Sequence, residues 1–94
     1  VDLKKLVASS CRQKILKELS TQREMRVMKL VSKVNGTYNE VNRNLEILEK
    51  EGIIINEYRK MVRHNIVRVI ILQKENERTK ILLQALRMLE KEND

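Results

Sequence analysis

In 94 residues the chain has no proline and only two glycines, Gly36 and Gly52, so little interrupts regular structure between them. After Gly36, Thr37 is followed three residues later by Glu40, the spacing of a capping box, and then by Val41, Leu45 and Leu48 at helical period. The pattern predicts an amphipathic helix opened by Thr37 and ended at Gly52. Before it, Asn35-Gly36 is a pair able to take positive backbone angles and predicts a tight turn.

The rest of the chain has no repeat, linker or low-complexity tract. Leu3, Leu6 and Val7 are separated by Ser9-Ser10 from Ile15, Leu16 and Leu19, with Gln13 three residues after Ser10. This reads as a short helix, a break and a second helix capped by Ser10. Val27, Leu30, Val31 and Val34 predict another helix, running up to the Asn35-Gly36 turn. Beyond Gly52 the runs Ile53-Ile54-Ile55 and Ile66 to Ile71 are β-branched and of strand length, predicting two antiparallel strands. Between them, residues 58 to 65 form a basic hairpin tip containing Arg59, Lys60, Arg63 and His64. Helical period returns from Glu75 to Glu92.

Length bounds the chain to one domain. A domain of this size buries only about 60–65% of the surface its unfolded chain exposes, so a second copy would add useful core. In the last helix Ile81, Leu82, Leu83, Ala85, Leu86, Met88 and Leu89 cover more than half the circumference, wider than the roughly 100° stripe that one contact needs. One side is expected to cover its own domain and the other a partner helix. Ile81, Leu82, Ala85, Leu86 and Leu89 are therefore the expected dimerisation residues, with 73–94 a dimerisation helix appended to 1–72 within a single domain.

Charge narrows the partner. The net charge is +7, and residues 1–72 hold 15 Lys or Arg against 8 Asp or Glu, whereas residues 73–94 hold five of each. A basic body with a neutral leucine-rich tail suits a polyanion at one end and protein at the other. No apolar run approaches the roughly 18–20 residues of a membrane span, and no secretory signal pattern opens the chain. A cytoplasmic, nucleoid-associated protein without membrane contact is expected. One cysteine and one histidine leave no disulfide and no single-chain zinc cage. With no Ser/His/Asp set, no paired carboxylates in a cleft and no phosphate-binding glycine loop, the pattern is not that of an enzyme, and no cofactor is implied.

The order helix, helix, helix, tight turn, helix, basic hairpin resembles the winged helix-turn-helix domains of arsenic-repressor-like and multiple-antibiotic-resistance-like transcriptional regulators. Two stretches over about residues 6 to 72 carry the resemblance. In LVASSCRQKILKEL, the positions Ala8, Arg12, Ile15, Leu16 and Leu19 match the helix that packs under the reader. In VMKLVSKVNGTYNEVNRNLEILEKEGII, the spacing of Leu30, Val34, Val41, Leu45, Leu48 and Gly52 fits without a gap. Asn35 stands where such proteins usually have glycine, and Gly36 where they usually have an apolar residue. The resemblance implies a mainly α fold with a β-hairpin wing (α+β), ending in a C-terminal dimerisation helix.

A helix in the major groove keeps one face in the protein and offers the other to bases and phosphates. With Val41, Leu45 and Leu48 inward, Tyr38, Asn39, Asn42, Arg43 and Glu46 face outward. Asn pairs bidentately with adenine and Arg with guanine, and Thr37 at the helix start leaves backbone N–H groups near a phosphate. The candidate DNA-binding residues are thus Thr37, Tyr38, Asn39, Asn42 and Arg43 on the helix and Arg59, Lys60, Arg63 and His64 on the wing, with Arg68 a further possibility on the hairpin. The plainer alternatives are a solvated helix face and charge protection of an edge strand. Cys11 reads as a small buried residue rather than a sensor.

The expectation is a homodimeric, sequence-specific regulator of transcription reading an inverted repeat of double-stranded DNA, with no small-molecule effector because no pocket-forming residues stand out beyond the core. Two other classes stay open: an architectural or partition-type DNA-binding protein with little sequence preference, and a winged-helix module that binds protein.

Overall fold

The computed structural model describes residues 2–92. Helices α1 (Leu3–Leu6) and α2 (Ser10–Gln22) are followed by strand β1 (Glu24–Arg26), α3 (Val27–Val34), α4 (Tyr38–Lys50), β2 (Ile54–Lys60), β3 (Ile66–Leu72) and α5 (Glu77–Glu92). The result is mainly helical with a three-stranded antiparallel sheet in the order β1-β3-β2, the arrangement expected apart from β1. In β1 only Met25 is buried, and the strand exists because Glu24, Met25 and Arg26 pair with Ile71, Ile70 and Val69.

The caps explain where the helices begin and end. Thr37 Oγ1 accepts from the Glu40 N–H at 3.2 Å, opening α4 as expected. At the other end Gly52 N donates to the Glu49 carbonyl and Ile53 N to that of Leu48, both at 3.0 Å, closing a Schellman motif around Gly52 at φ 75°. A Cβ there would come within 2.9 Å of Asn76 Nδ2 and push aside the amide that donates to Gly52 O, but it is the positive φ that calls for glycine. Helix α3 ends the same way, with Asn35 itself left-handed (φ 56°, ψ 40°), Asn35 N donating to Ser32 O and Gly36 N to Val31 O. Gly36 is not left-handed, so the positive angle expected of the pair falls on asparagine alone. The start of α2 also differs by one residue. Ser9, not Ser10, is the N-cap, its Oγ accepting from the Arg12 N–H at 3.3 Å. Gln13 reaches back to the carbonyl of Val7.

Helix α2 is the centre of the domain, touching α3, α4 and α5. Ile15, Leu16 and Leu19 meet Leu30 of α3, Val41, Leu45 and Leu48 of α4, Ile70 and Leu72 of the sheet, and Leu82 of α5 in one core. Burying a leucine or isoleucine contributes about 1.5–3 kcal/mol each.

Helix α5 corrects part of the expected dimer face. Leu82 and Leu86 are 1% and 8% exposed, inside the protomer's own core, because the helix lies against α2 with these two residues and Thr79 inward. Ile81, Met88 and Leu89 stay 49%, 60% and 38% exposed, with Ala85 half-buried between them. From Arg87 to Glu92 every residue is exposed, although Glu90 still pairs with Lys17 of α2 at 3.4 Å. No helix among the described residues is long and apolar enough to cross a membrane.

Candidate nucleic-acid interface

Val41, Asn44, Leu45 and Leu48 face inward from α4, which turns Asn39, Arg43 and Glu46 outward into solvent. Neither Asn39 nor Arg43 makes a side-chain hydrogen bond or ion pair with another described residue, so both are available to a ligand.

Asn42 is not. It is half-buried, and Arg68 of β3 donates from Nη1 to its Oδ1 at 2.6 Å. The same guanidinium donates from Nη1 to the Tyr38 hydroxyl at 3.3 Å and from Nε to Asn56 Oδ1 at 2.7 Å. Asn42 Nδ2 donates to Glu46 Oε1 at 3.3 Å. Arg68 thereby ties α4 to the sheet, and an open cleft of about 460 Å³ lined by Tyr38, Asn42, Glu46, Asn56, Tyr58 and Arg68 among others lies between them. Asn42 was expected to project freely for bidentate contact with adenine. With one lone pair of its oxygen taken by Arg68 and its amide donating to Glu46, it is held rather than free. Tyr38 is 44% exposed and joins the same cluster, while Tyr58 is 68% exposed.

The wing is shorter at the tip than the sequence suggests, because Tyr58, Arg59 and Lys60 are strand residues paired with Arg68, Val67 and Ile66. Strand alternation then decides which cations face where. Arg59 lies on the face turned away from Arg68 and α4, where it donates from Nη2 to Glu24 Oε2 at 2.7 Å and from Nε to Glu57 Oε1 at 2.8 Å. These bonds hold the Glu57 carboxyl below its usual pKa and raise that of Arg59. Arg59 is therefore a clamp between β1 and β2, its charge already neutralised, and not the free phosphate contact expected of it.

Lys60, Arg63 and His64 remain exposed without such partners among the described residues. At the tip Met61 N donates to the Asn65 carbonyl at 2.6 Å. Arg63 (φ 66°, ψ 32°) and His64 (φ 64°) are both left-handed, the requirement of a tight hairpin turn that Asn-Gly usually meets. Two bulky residues in that conformation cost about 1–2 kcal/mol each, and the turn presents both side chains beyond the strands.

Sequence reasoning missed Asn44. It is 9% exposed, and its Oδ1 accepts from Arg12 Nη1 at 2.9 Å and from Ser9 Oγ at 3.4 Å, while its Nδ2 donates to Glu40 O at 2.8 Å. Arg12 also donates to the carbonyls of Leu6 and Lys5. This network fixes the pose of α4 against the α1–α2 junction, and the asparagine among apolar neighbours at the inward period was its only signal. Cys11, half-buried beside it, has its thiol pKa raised by burial and by neighbouring Glu40. A further departure lies on the opposite side of α2. A depression of about 530 Å³ between α2 and α5, lined by Lys17, Lys74, Lys80, Arg87 and Glu90 among others, is present where no pocket was expected. Among the described residues no group of three or more His, Cys, Asp or Glu is placed to hold a metal ion.

No family model matches the chain. No curated protein matches it either. Solved structures do. A transcriptional regulator homologue from Pyrococcus horikoshii OT3 is similar at TM-score 0.69 and 17% identity, over 98% of this chain and 96% of that one. The AntR antimony-specific transcriptional repressor aligns at TM-score 0.69 and 21% identity, over 97% of this chain and 77% of its own. A MarR-family transcriptional regulator from Silicibacter pomeroyi aligns at TM-score 0.67 and 17% identity, over 92% of this chain but only 57% of that one. The helix order, the Thr37-capped helix α4, the three-stranded sheet and these likenesses agree on one point: the chain has the winged helix-turn-helix fold found in MarR-like and related transcriptional regulators.

Proposed function

We propose that the protein is a sequence-specific, double-stranded DNA-binding regulator of transcription acting as a homodimer. The observation that carries the reading is the partition of cations in the structure: Arg43, Lys60, Arg63 and His64 lie exposed on the reader helix and the wing tip, whereas Arg59 is neutralised on the far face of the sheet. Residues up to 72 form the DNA-binding part and the segment from 73 the dimerisation part, through helix α5; residues 1, 93 and 94 lie outside the described residues. Helix α4 enters the major groove, where Asn39 and Arg43 meet base edges and the Thr37-capped first turn, with Tyr38 beside it, meets a phosphate. Lys60, Arg63 and His64 follow the backbone or minor groove.

The apolar stripe Ile81, Ala85, Met88 and Leu89 pairs with its copy across a two-fold axis, for which the exposed end of α5 supplies the length. Two readers so related sit roughly 34 Å apart, so the operator is an inverted repeat, occupied in the cytoplasm on the nucleoid. Occupying the operator and excluding polymerase is the simplest action. The test is titration of the full chain against random duplex and against duplexes selected from a random pool. Affinity for selected sites about 10³-fold or more above random supports the regulator. Equal affinities support an architectural protein, and no duplex binding supports a protein-interaction module.

A further inference from the structure

A guanidinium carries only donors, so the Asn42 atom that meets Arg68 Nη1 at 2.6 Å must be its oxygen, and the orientation of the amide is fixed. Nδ2 then points along α4 to Glu46 Oε1 at 3.3 Å. Reading adenine with a carboxamide requires the oxygen to accept from N6 while the nitrogen donates to N7. Arg68, itself braced by Asn56 and Tyr38, occupies one lone pair of that oxygen and holds the amide turned towards itself and Glu46, which disfavours that pairing. What the helix presents instead is a donor from Asn42 beside an acceptor from Glu46, one turn further along.

A carboxylate on a DNA-facing surface is repelled by phosphates and is favourable there only against a base donor. The major groove has two, cytosine N4 and adenine N6. Adenine N6 sits between two acceptors, its own N7 and O4 of the paired thymine, and both repel a carboxylate. Cytosine N4 has an acceptor on one side only, guanine O6, and that acceptor is where the Asn42 donor is needed. We infer that Asn42 and Glu46 work as one unit that reads a G·C pair, with Asn42 Nδ2 donating to guanine and Glu46 accepting from cytosine N4, and with Arg68 as the positioning residue that sets this preference. The inference rests on the reading of α4 as the groove helix.

The experiment is selection of bound duplexes from a random pool with the full chain, repeated with Glu46→Ala, Asn42→Ala and Arg68→Ala. In the unaltered protein each selected half-site should contain a G·C position that excludes A·T by about tenfold to a hundredfold. That preference should vanish in both Glu46→Ala and Asn42→Ala, and Arg68→Ala, by freeing the Asn42 oxygen, should admit A·T at the same position. Glu46 is exposed, so its variant keeps the test decisive even if Arg68→Ala fails to fold. An A·T preference in the unaltered protein at the position sensitive to Asn42→Ala, or a selected site indifferent to Glu46→Ala, overturns the inference while leaving α4 as a reader. Duplex binding that enriches no sequence at all overturns sequence reading by α4 and the inference with it.

Discussion

Arg12 of α2 donates from Nη1 to the side-chain oxygen of Asn44 of α4 at 2.9 Å, joining the first helical junction to the inward face of α4. The bond is charge-assisted and shielded, and Asn44 is nearly buried. Asn44→Ala should therefore destabilise the fold by about 1.5–3 kcal/mol, the range for a hydrogen bond to a charged group. Ser9→Ala should cost about 0.5–2 kcal/mol, chiefly through loss of the α2 N-cap, since its contact with Asn44 is long at 3.4 Å. Urea denaturation of the two variants checks this; a loss under about 0.5 kcal/mol for Asn44→Ala would place it among ordinary surface changes.

Gly36 is open to improvement. Its backbone is not left-handed, and an added Cβ would touch Val41 Cγ2 at 3.5 Å and Val34 Cγ2 at 3.6 Å, ordinary contact distances. Gly36→Ala should stabilise by about 0.4–1 kcal/mol through the unfolded chain, raising Tm by about 2–8 °C in a domain of this size. A lowered Tm would show that the turn needs glycine.

Helix α5 separates assembly from folding. Glutamate at both Ile81 and Met88, each about half exposed or more, should give a folded monomer, whereas Leu82→Glu should unfold the chain because Leu82 is 1% exposed. Sedimentation and far-UV circular dichroism read the two outcomes. A monomeric unaltered protein, or an Ile81/Met88 double variant that stays dimeric, would contradict dimerisation through this stripe.

Burial and Glu40 raise the Cys11 pKa above its usual 9.0. The thiol is thus favoured by folding, so its contribution to stability is complete below about the unfolded value and is lost as pH rises through the higher folded value. Stability should fall above about pH 9, and less so in Cys11→Ala. Alkylation at pH 8 should be slower in the native protein than in urea. Equal rates would indicate an unshielded, reactive thiol.

Much of this was legible in the sequence because it is local. Thr37 with Glu40, Asn35 before Gly36, Gly52 after Leu48 and the two β-branched runs each act within a few residues, and each appears at its expected place. Strand β1 did not announce itself, since three residues with one buried side chain have no readable alternation and the pairing partner lies over 40 residues away. The same distance problem hid the fates of Arg59 and Asn42, which depend on Glu24 and Arg68 reached only through sheet register. The wide apolar arc of α5 was visible, but which side faced the core was settled by α2, not by α5.

The most direct test of duplex binding by the reader and wing is the salt dependence of affinity for random duplex, compared between the unaltered protein and Arg43→Ala/Lys60→Ala/Arg63→Ala. Each phosphate contact contributes about 0.9 to the slope of log K against log salt, so removing Lys60 and Arg63 should flatten it by up to about 1.8 units, with Arg43, proposed at base edges, adding less. Arg59→Ala alone should change it by clearly less than one unit, because Glu24 and Glu57 already offset that charge. An unchanged slope in the triple variant, or no duplex binding by the unaltered protein, would contradict DNA binding through α4 and the wing.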